Sequence, residues 1–181
     1  MSARQIALFR GINVGRAKRI AMADLRAAFE RLGYRDVRTL LNSGNVVFTG
    51  GRGSPAAAAT RIEKAINSDL GVSARVTVLT AAELAASIAE NPLDQAADNP
   101  SRFLLAVLRD PADRTKVAPL AKRDWTPEAL ALGTRVAYLW CADGILASAL
   151  GAAVGKALGD GVTARNWSTM LKLNSLAQES G

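Results

Sequence analysis

Strand and helix signals follow one another in the order β-α-β-β-α-β between residues 4 and 79, and the same order returns between residues 102 and 164. Few architectures accept that order twice. Paired strands flanked by helical crossovers close a small antiparallel sheet with helices against it, so the chain reads as α+β with an internal duplication. The punctuation is local. The apolar run from Gln5 to Phe9 breaks at Gly11, while Met22, Leu25, Ala28, Phe29 and Leu32 share one helical face that stops at Gly33. Runs from Val37 to Leu41 and from Val46 to Thr49 flank Asn42-Ser43-Gly44-Asn45, a cluster of turn formers that predicts a hairpin. Ser54-Pro55 opens an alanine-rich helix reaching about Leu70, with Ser as N-cap and Gly71 as the stop. Arg75 to Leu79 forms the fourth strand, and Thr80 caps a short helix that ends before Pro92.

In the second half, Arg102 to Leu108 reads as a strand and Ala112 to Leu120 as a weak helix damaged by Pro119. Ala129 to Leu132 and Arg135 to Cys141 form strands about Gly133, with Trp140 expected in the core. A helix from Ile145 to Leu158, a strand from Val162 to Ala164 and a helix from Trp167 to Ala177 complete the repeat. The expected architecture is two ferredoxin-like (βαββαβ) subdomains in tandem, each with a trailing helix. Residues 1–92 form the first, 93–101 a linker and 102–181 the second. In such a sheet the first strand ends on the edge where the second and third strands turn. The loop from Gly11 to Gly15 and the hairpin from Asn42 to Asn45 should therefore be neighbours.

Composition removes whole chemistries. The chain has no histidine and a single cysteine, Cys141. A Ser-His-Asp triad, a Cys-His pair, a Cys/His zinc site and an intrachain disulfide are excluded, and Cys141 is expected to be a small buried hydrophobe. No apolar run reaches the roughly 18 residues of a spanning helix, and no secretory leader is apparent, so the expectation is a cytoplasmic protein without membrane contact. The net charge of +7 is unevenly spread: residues 1–50 hold nine Lys and Arg against three acids, Asp24, Glu30 and Asp36. Positive potential therefore gathers on the first subdomain.

Three motifs are candidates for a site, each with a competing role in folding. Arg10-Gly11-Ile12-Asn13-Val14-Gly15, followed by Lys18 and Arg19, joins bendable backbone to cations, which suits an anion. Arg10 could present a bidentate guanidinium or lock the sheet edge to an acid such as Asp24, and Asn13 could contact ligand or hold a left-handed turn. Ser43, Gly44 and Asn45 could donate to an oxygen ligand or simply turn the hairpin. Arg165, Asn166 and Trp167 stand where the last strand meets the last helix. There Arg165 could reach a shared pocket and Trp167 stack on a base or sugar, or Asn166 could cap the helix while Trp167 anchors it. Asp94, Asp98, Asp110 and Asp113 surround the linker and read as solvated loop charges; no metal and no cofactor is expected.

These motifs resemble those of a bacterial family catalogued as domain of unknown function 1697. The family's Phe-Arg-Gly-Ile-Asn-Val-Gly pattern is similar to Phe9–Gly15, followed by Met22 and Asp24. Its hairpin pattern is matched by Thr39, Ser43, Gly44, Asn45, Val46, Val47 and Phe48, and its Thr-x-Arg-Asn-Trp pattern by Thr163, Arg165, Asn166, Trp167 and Thr169. Arg16 stands where the family often has a second glycine, and Ser168 where an amide or Arg is common. The resemblance implies a two-subdomain α+β protein and assigns no activity. The leading functional expectation is a binding module for a small phosphorylated or other anionic ligand, with a nucleotide or nucleic acid as the extended case. The alternatives are an enzyme on an anionic small molecule that works without His or Cys, and a structural or partner-binding protein.

Overall fold

The computed structural model describes residues 3–179 and resolves a mixed α+β fold with two four-stranded antiparallel sheets. The chain divides into two compact units. One runs through Glu83 and includes the residues from Leu173 onward; the other is Leu84–Lys172.

In the first unit, β1 (Arg4–Arg10), α1 (Met22–Arg31), β2 (Arg35–Leu40), β3 (Asn45–Thr49), α2 (Pro55–Leu70) and β4 (Arg75–Thr80) follow in the expected order. The sheet order is β2-β3-β1-β4, every pair antiparallel. Ala7, Phe9, Val46, Phe48, Val76 and Val78 alternate along the strands and share one core with Leu25, Ala28 and Phe29 of α1 and Ala58, Ile62 and Ile66 of α2. The period-2 and period-3.6 apolar patterns thus meet on one face. Phe29 is the hinge of that core, with ring centroids 5.2 Å from Phe48, 5.8 Å from Tyr34 and 6.2 Å from Phe9. Helix ends follow side-chain chemistry. Ser54 Oγ accepts the Ala57 N–H at 3.2 Å, Pro55 occupies the first turn, and Gly71 closes α2 in the left-handed conformation at φ +67°. Thr80 and Glu83 form a reciprocal capping box, Thr80 N–H donating to Glu83 Oε2 at 2.7 Å and Glu83 N–H to Thr80 Oγ1 at 3.1 Å. That box starts α3 (Ala81–Ala89).

In the second unit, β5 (Phe103–Leu108), α5 (Arg114–Ala121), β6 (Ala129–Leu132), β7 (Val136–Trp140), α6 (Ala149–Leu158) and β8 (Val162–Asn166) form a sheet of order β6-β7-β5-β8, again antiparallel throughout. The helix α7 (Trp167–Gln178) follows β8.

Five details differ from the sequence expectation. The unit division falls at Glu83/Leu84 and the last residues go with the first unit, because packing, not composition, decides compactness. The stretch 93–101 carries a single helical turn, α4 (Gln95–Asp98), closed by Ala97 N–H to Asp94 O at 3.1 Å. The helix expected from Ala112 splits into a 3-10 turn, Pro111–Asp113, and α5, which runs through Pro119 as expected, with Val117 and Leu120 buried; that burial outweighs the single backbone bond the proline ring removes. The segment from Ile145 splits into a 3-10 turn, Ile145–Ala147, and α6, because Ser148 takes the N-cap and its Oγ accepts Gly151 N–H at 2.8 Å. Trp140, at the end of β7 opposite Ala129, is half-buried, while the buried tryptophan is Trp167.

Candidate functional site

In β1 the residue pairs run from Arg4↔Thr49 to Leu8↔Asn45, so Phe9 faces Gly44 and its N–H donates to Gly44 O at 2.8 Å. The end of β1 and the β2–β3 hairpin therefore share one sheet edge. Beyond Arg10 the chain bends through Gly11 (φ +71°), Asn13 (+54°), Gly15 (+63°) and Lys18 (+50°), and Asn13 N–H closes the loop on Lys18 O at 3.0 Å. The buried side chains of Ile12 and Ile20 pin it at both ends.

The Asn13 carboxamide clamps this edge. Its Nδ2 donates to Ile20 O at 2.9 Å and to Asn42 O at 2.8 Å, while its Oδ1 accepts Ile20 N–H at 2.8 Å. One side chain thus closes its own loop and ties it to the hairpin. Asn45 plays a similar part beneath the turn: fully buried, it donates Nδ2 to Leu40 O at 2.7 Å and to Ser43 Oγ at 3.0 Å. Gly44, at φ +87°, is packed so closely that a Cβ there would lie 2.6 Å from both Ile12 Cδ1 and Phe9 Cβ. Ile12, Asn13, Gly44 and Asn45 form the inner layer.

The outer layer is cationic. Arg10, Gly11, Gly15, Arg16, Lys18, Arg19 and Ser43 are exposed along this loop and turn, together with Val14 at 71% and Leu41 at 54%. Arg16, Lys18 and Arg19 enter no ion pair or side-chain hydrogen bond among the described residues. Arg10 is paired in register with Arg75 of β4, so a further cation flanks the edge; Arg75 lies 3.8 Å from Glu63. Such an edge offers positive charge and N–H donors to an anion. Its one hydroxyl, Ser43 Oγ, accepts from an amide donor, a contact that lends it no basicity.

The third motif lies in the second unit. Arg165 sits on β8, its Nη1 donating to Ala164 O at 3.0 Å, and burial draws its guanidinium down to about 10. Asn166 caps α7, Oδ1 accepting Thr169 N–H at 2.9 Å. Trp167 is 8% exposed and its ring makes a T-shaped contact with Phe103 at a centroid distance of 5.3 Å, so the ring is used in packing. Replacing Asn166 by Ala should lower stability by about 1 kcal/mol, the usual worth of an N-cap, as read from a urea midpoint with unchanged slope. An unshifted midpoint would remove the capping role.

Other groups resolve as structural. Cys141 is buried, its thiol pushed up mainly by burial. Tyr138, which the sequence did not single out, donates its hydroxyl to Ser87 O at 2.6 Å, and burial lifts the phenol to about 12, which keeps it a neutral donor. Asp110 accepts Ala112 N–H at 2.9 Å and Asp113 pairs with Lys116 at 2.8 Å. No three His, Cys, Asp or Glu side chains converge as a metal site among the described residues, nor is any described helix long and apolar enough to cross a membrane. The run Gly50-Gly51-Arg52-Gly53, ahead of α2, is not among the three motifs. Its signal was three glycines in four positions ahead of a capped helix.

A family model described as "Protein of unknown function (DUF1697)" matches residues 2–138. Among solved structures, the chain is similar to the conserved bacterial protein SP0830 from Streptococcus pneumoniae. The identity is 21% over 98% of this chain and 100% of that one, with a TM-score of 0.75. At that identity the likeness concerns the fold. No curated protein matches the chain.

Proposed function

The chain belongs to the DUF1697 family of proteins of unknown function, and from that premise we propose that its first unit is a binding module for a small phosphorylated or otherwise anionic ligand. The observation that carries this reading is the division of labour at the sheet edge. The Asn13 carboxamide satisfies the backbone of loop and hairpin, leaving Arg16, Lys18 and Arg19 exposed on one loop with no ion pair among the described residues. Cations gathered without partners cost repulsion in the empty protein, and an anion offsets it. A small ligand is favoured over RNA because Phe9 and Phe48, the aromatic residues of this sheet, are fully buried and provide no stacking platform. The same reading takes each unit as a ferredoxin-like module of a duplicated, cytoplasmic protein. The common strand orders β2-β3-β1-β4 and β6-β7-β5-β8 support the duplication.

The test is thermal melting with nucleotides, sugar phosphates and short oligonucleotides at several salt concentrations. A cognate anion at about 100 times its Kd should stabilise by about 2.7 kcal/mol, a rise of roughly 5 °C or more in Tm for a chain of this size. The triple variant Arg16→Gln, Lys18→Gln, Arg19→Gln should melt within about 1 °C of the parent without ligand, since these side chains are exposed, and should lose the ligand-dependent rise. The reading fails if no anion moves the Tm, or if the triple variant responds like the parent. A steep loss of binding with salt would instead mark a polyanion.

A further inference from the structure

The second unit holds a pocket of its own. At the turn from β6 to β7, where the end of α3 and the start of α5 meet, Glu90, Arg114, Leu132, Gly133, Thr134 and Tyr138 line a space of about 440 Å³. That volume lies within the roughly 300–1,000 Å³ of small-molecule sites. We propose that this pocket binds a small zwitterion of the α-amino acid type, Glu90 taking its ammonium group and Arg114 its carboxylate. The site lies outside the cationic loop of the first unit and does not rest on that reading.

Two opposite charges line this one pocket and do not pair. Among the described residues the Glu90 carboxylate accepts no hydrogen bond and enters no ion pair, and the Arg114 guanidinium uses only Nε, which donates to Gly133 O at 2.9 Å. Its two Nη groups, part of the fork that grips a carboxylate, are left open. The acids next to Arg114 in the chain are used elsewhere. Asp110 Oδ1 accepts Ala112 N–H at 2.9 Å, and Asp113 pairs with Lys116 at 2.8 Å.

Each charge is also set against its own helix. Glu90 follows the last residue of α3, at the negative end of the helix, its N–H donating to Ala86 O at 2.9 Å. Arg114 opens α5, at the positive end, in a first turn with no acidic residue. A carboxylate at a helix C-terminus and a cation at a helix N-terminus are both of the unfavourable sign. In the empty pocket neither charge is matched by the other or by a neighbour. A ligand that brings an ammonium group to one and a carboxylate to the other matches both, whereas a simple anion or cation would leave one of them alone.

The frame around the two charges is fixed. Tyr138, buried, donates its hydroxyl to Ser87 O at 2.6 Å, which ties the last turn of α3 to β7. Burial and, after it, the charge of Glu90 raise this phenol to about 12, so the hydroxyl stays a neutral donor and the carboxylate stands within its electrostatic reach. Gly133 N–H donates to Val136 O at 2.8 Å, and a Cβ at Gly133 would lie 2.8 Å from Val136 Cγ2 and 3.3 Å from the Tyr138 hydroxyl oxygen. The carbonyl that orients Arg114 therefore belongs to backbone with no room for a side chain. Leu132 adds an apolar wall and Thr134 an exposed hydroxyl, which suit a ligand with a compact body.

The test follows backbone amide chemical shifts of the full chain during titration with L-alanine, with propionate, which lacks the ammonium group, and with L-alaninamide, which lacks the carboxylate. L-Alanine should give saturable shifts at Glu90, Gly133 and Thr134 with Kd below about 10 mM, and each one-charge analogue should bind roughly tenfold more weakly or worse. Glu90→Gln and Arg114→Gln, both at exposed positions, should melt within about 2 °C of the parent and lower the affinity for L-alanine roughly tenfold. The two losses differ in kind. Glu90→Gln should bring L-alanine and propionate within about twofold of each other, and Arg114→Gln should do the same for L-alanine and L-alaninamide. A merely structural role for either side chain would not move those ratios. Absent or unsaturable shifts, shifts confined to residues 16–19, or the parent's Kd in either variant would overturn the site. Propionate binding as tightly as L-alanine would overturn the role of Glu90, and L-alaninamide binding as tightly would overturn that of Arg114.

Discussion

Substituting Gly44 by Ala should destabilise the first unit by about 2–4 kcal/mol. Two costs combine. At φ +87° an L side chain meets its own backbone, a strain on the order of 1 kcal/mol. The new Cβ would also lie 2.6 Å from Phe9 Cβ and 2.6 Å from Ile12 Cδ1, both fully or almost fully buried. Overfilling a packed core typically costs 1–3 kcal/mol, and Phe9 has little room to yield because its N–H is tied to Gly44 O at 2.8 Å. Urea unfolding followed by far-UV circular dichroism would measure the effect as a lower midpoint at unchanged slope. A change under 0.5 kcal/mol would mean that the turn relaxes freely, and the close approach would then carry no structural weight. The outcome bears on function too, because Gly44 was equally readable as a ligand contact. A large loss of stability identifies its invisible Cβ as the thing the fold requires.

The contrast between readable and unreadable features follows the range of the interaction. Ser54, Gly71, Thr80 and Gly33 act within a turn of their own positions, and their elements stand where the sequence set them. The meeting of the first loop with the hairpin was also legible, since an antiparallel sheet of known strand order leaves β1 no other edge on which to end. What those residues do there was not. Asn13 suited a left-handed turn or a ligand equally, and only the distances to Ile20 O, Ile20 N–H and Asn42 O decide how its carboxamide is used. Trp140, expected in the core, is half-buried, and of the two roles open to Trp167 the buried ring against Phe103 fits anchoring; tertiary packing without a local signature sets both. Pro119 shows the limit of a local rule, as burial of Val117 and Leu120 carries α5 two residues beyond it.

Asn13→Ala should cost about 2–3 kcal/mol, close to the cost of Gly44→Ala but by loss instead of crowding. It deletes three hydrogen bonds of 2.8–2.9 Å, and leaves Ile20 N–H and two carbonyls to find water at a half-buried position. Each such bond is worth about 1 kcal/mol net. Alanine also resists the φ of +54° that Asn tolerates, so Asn13→Gly, which accepts that angle, separates the two terms. If the side-chain bonds dominate, the Gly variant should remain at least about 1.5 kcal/mol below the parent; if backbone strain dominates, it should recover most of the loss. The fate of the proposed anion binding then follows from geometry. Arg16, Lys18 and Arg19 project from the segment that Asn13 ties to Ile20 and to the hairpin, so without the clamp their charges remain but their arrangement does not. Ligand-induced stabilisation should fall in Asn13→Gly even at temperatures where the variant is fully folded, because the ligand must then order the loop itself. An Asn13→Gly protein that binds the same anion with the parent's Kd would detach the clamp from the site, and with it the claim that the inner layer exists to present the outer one.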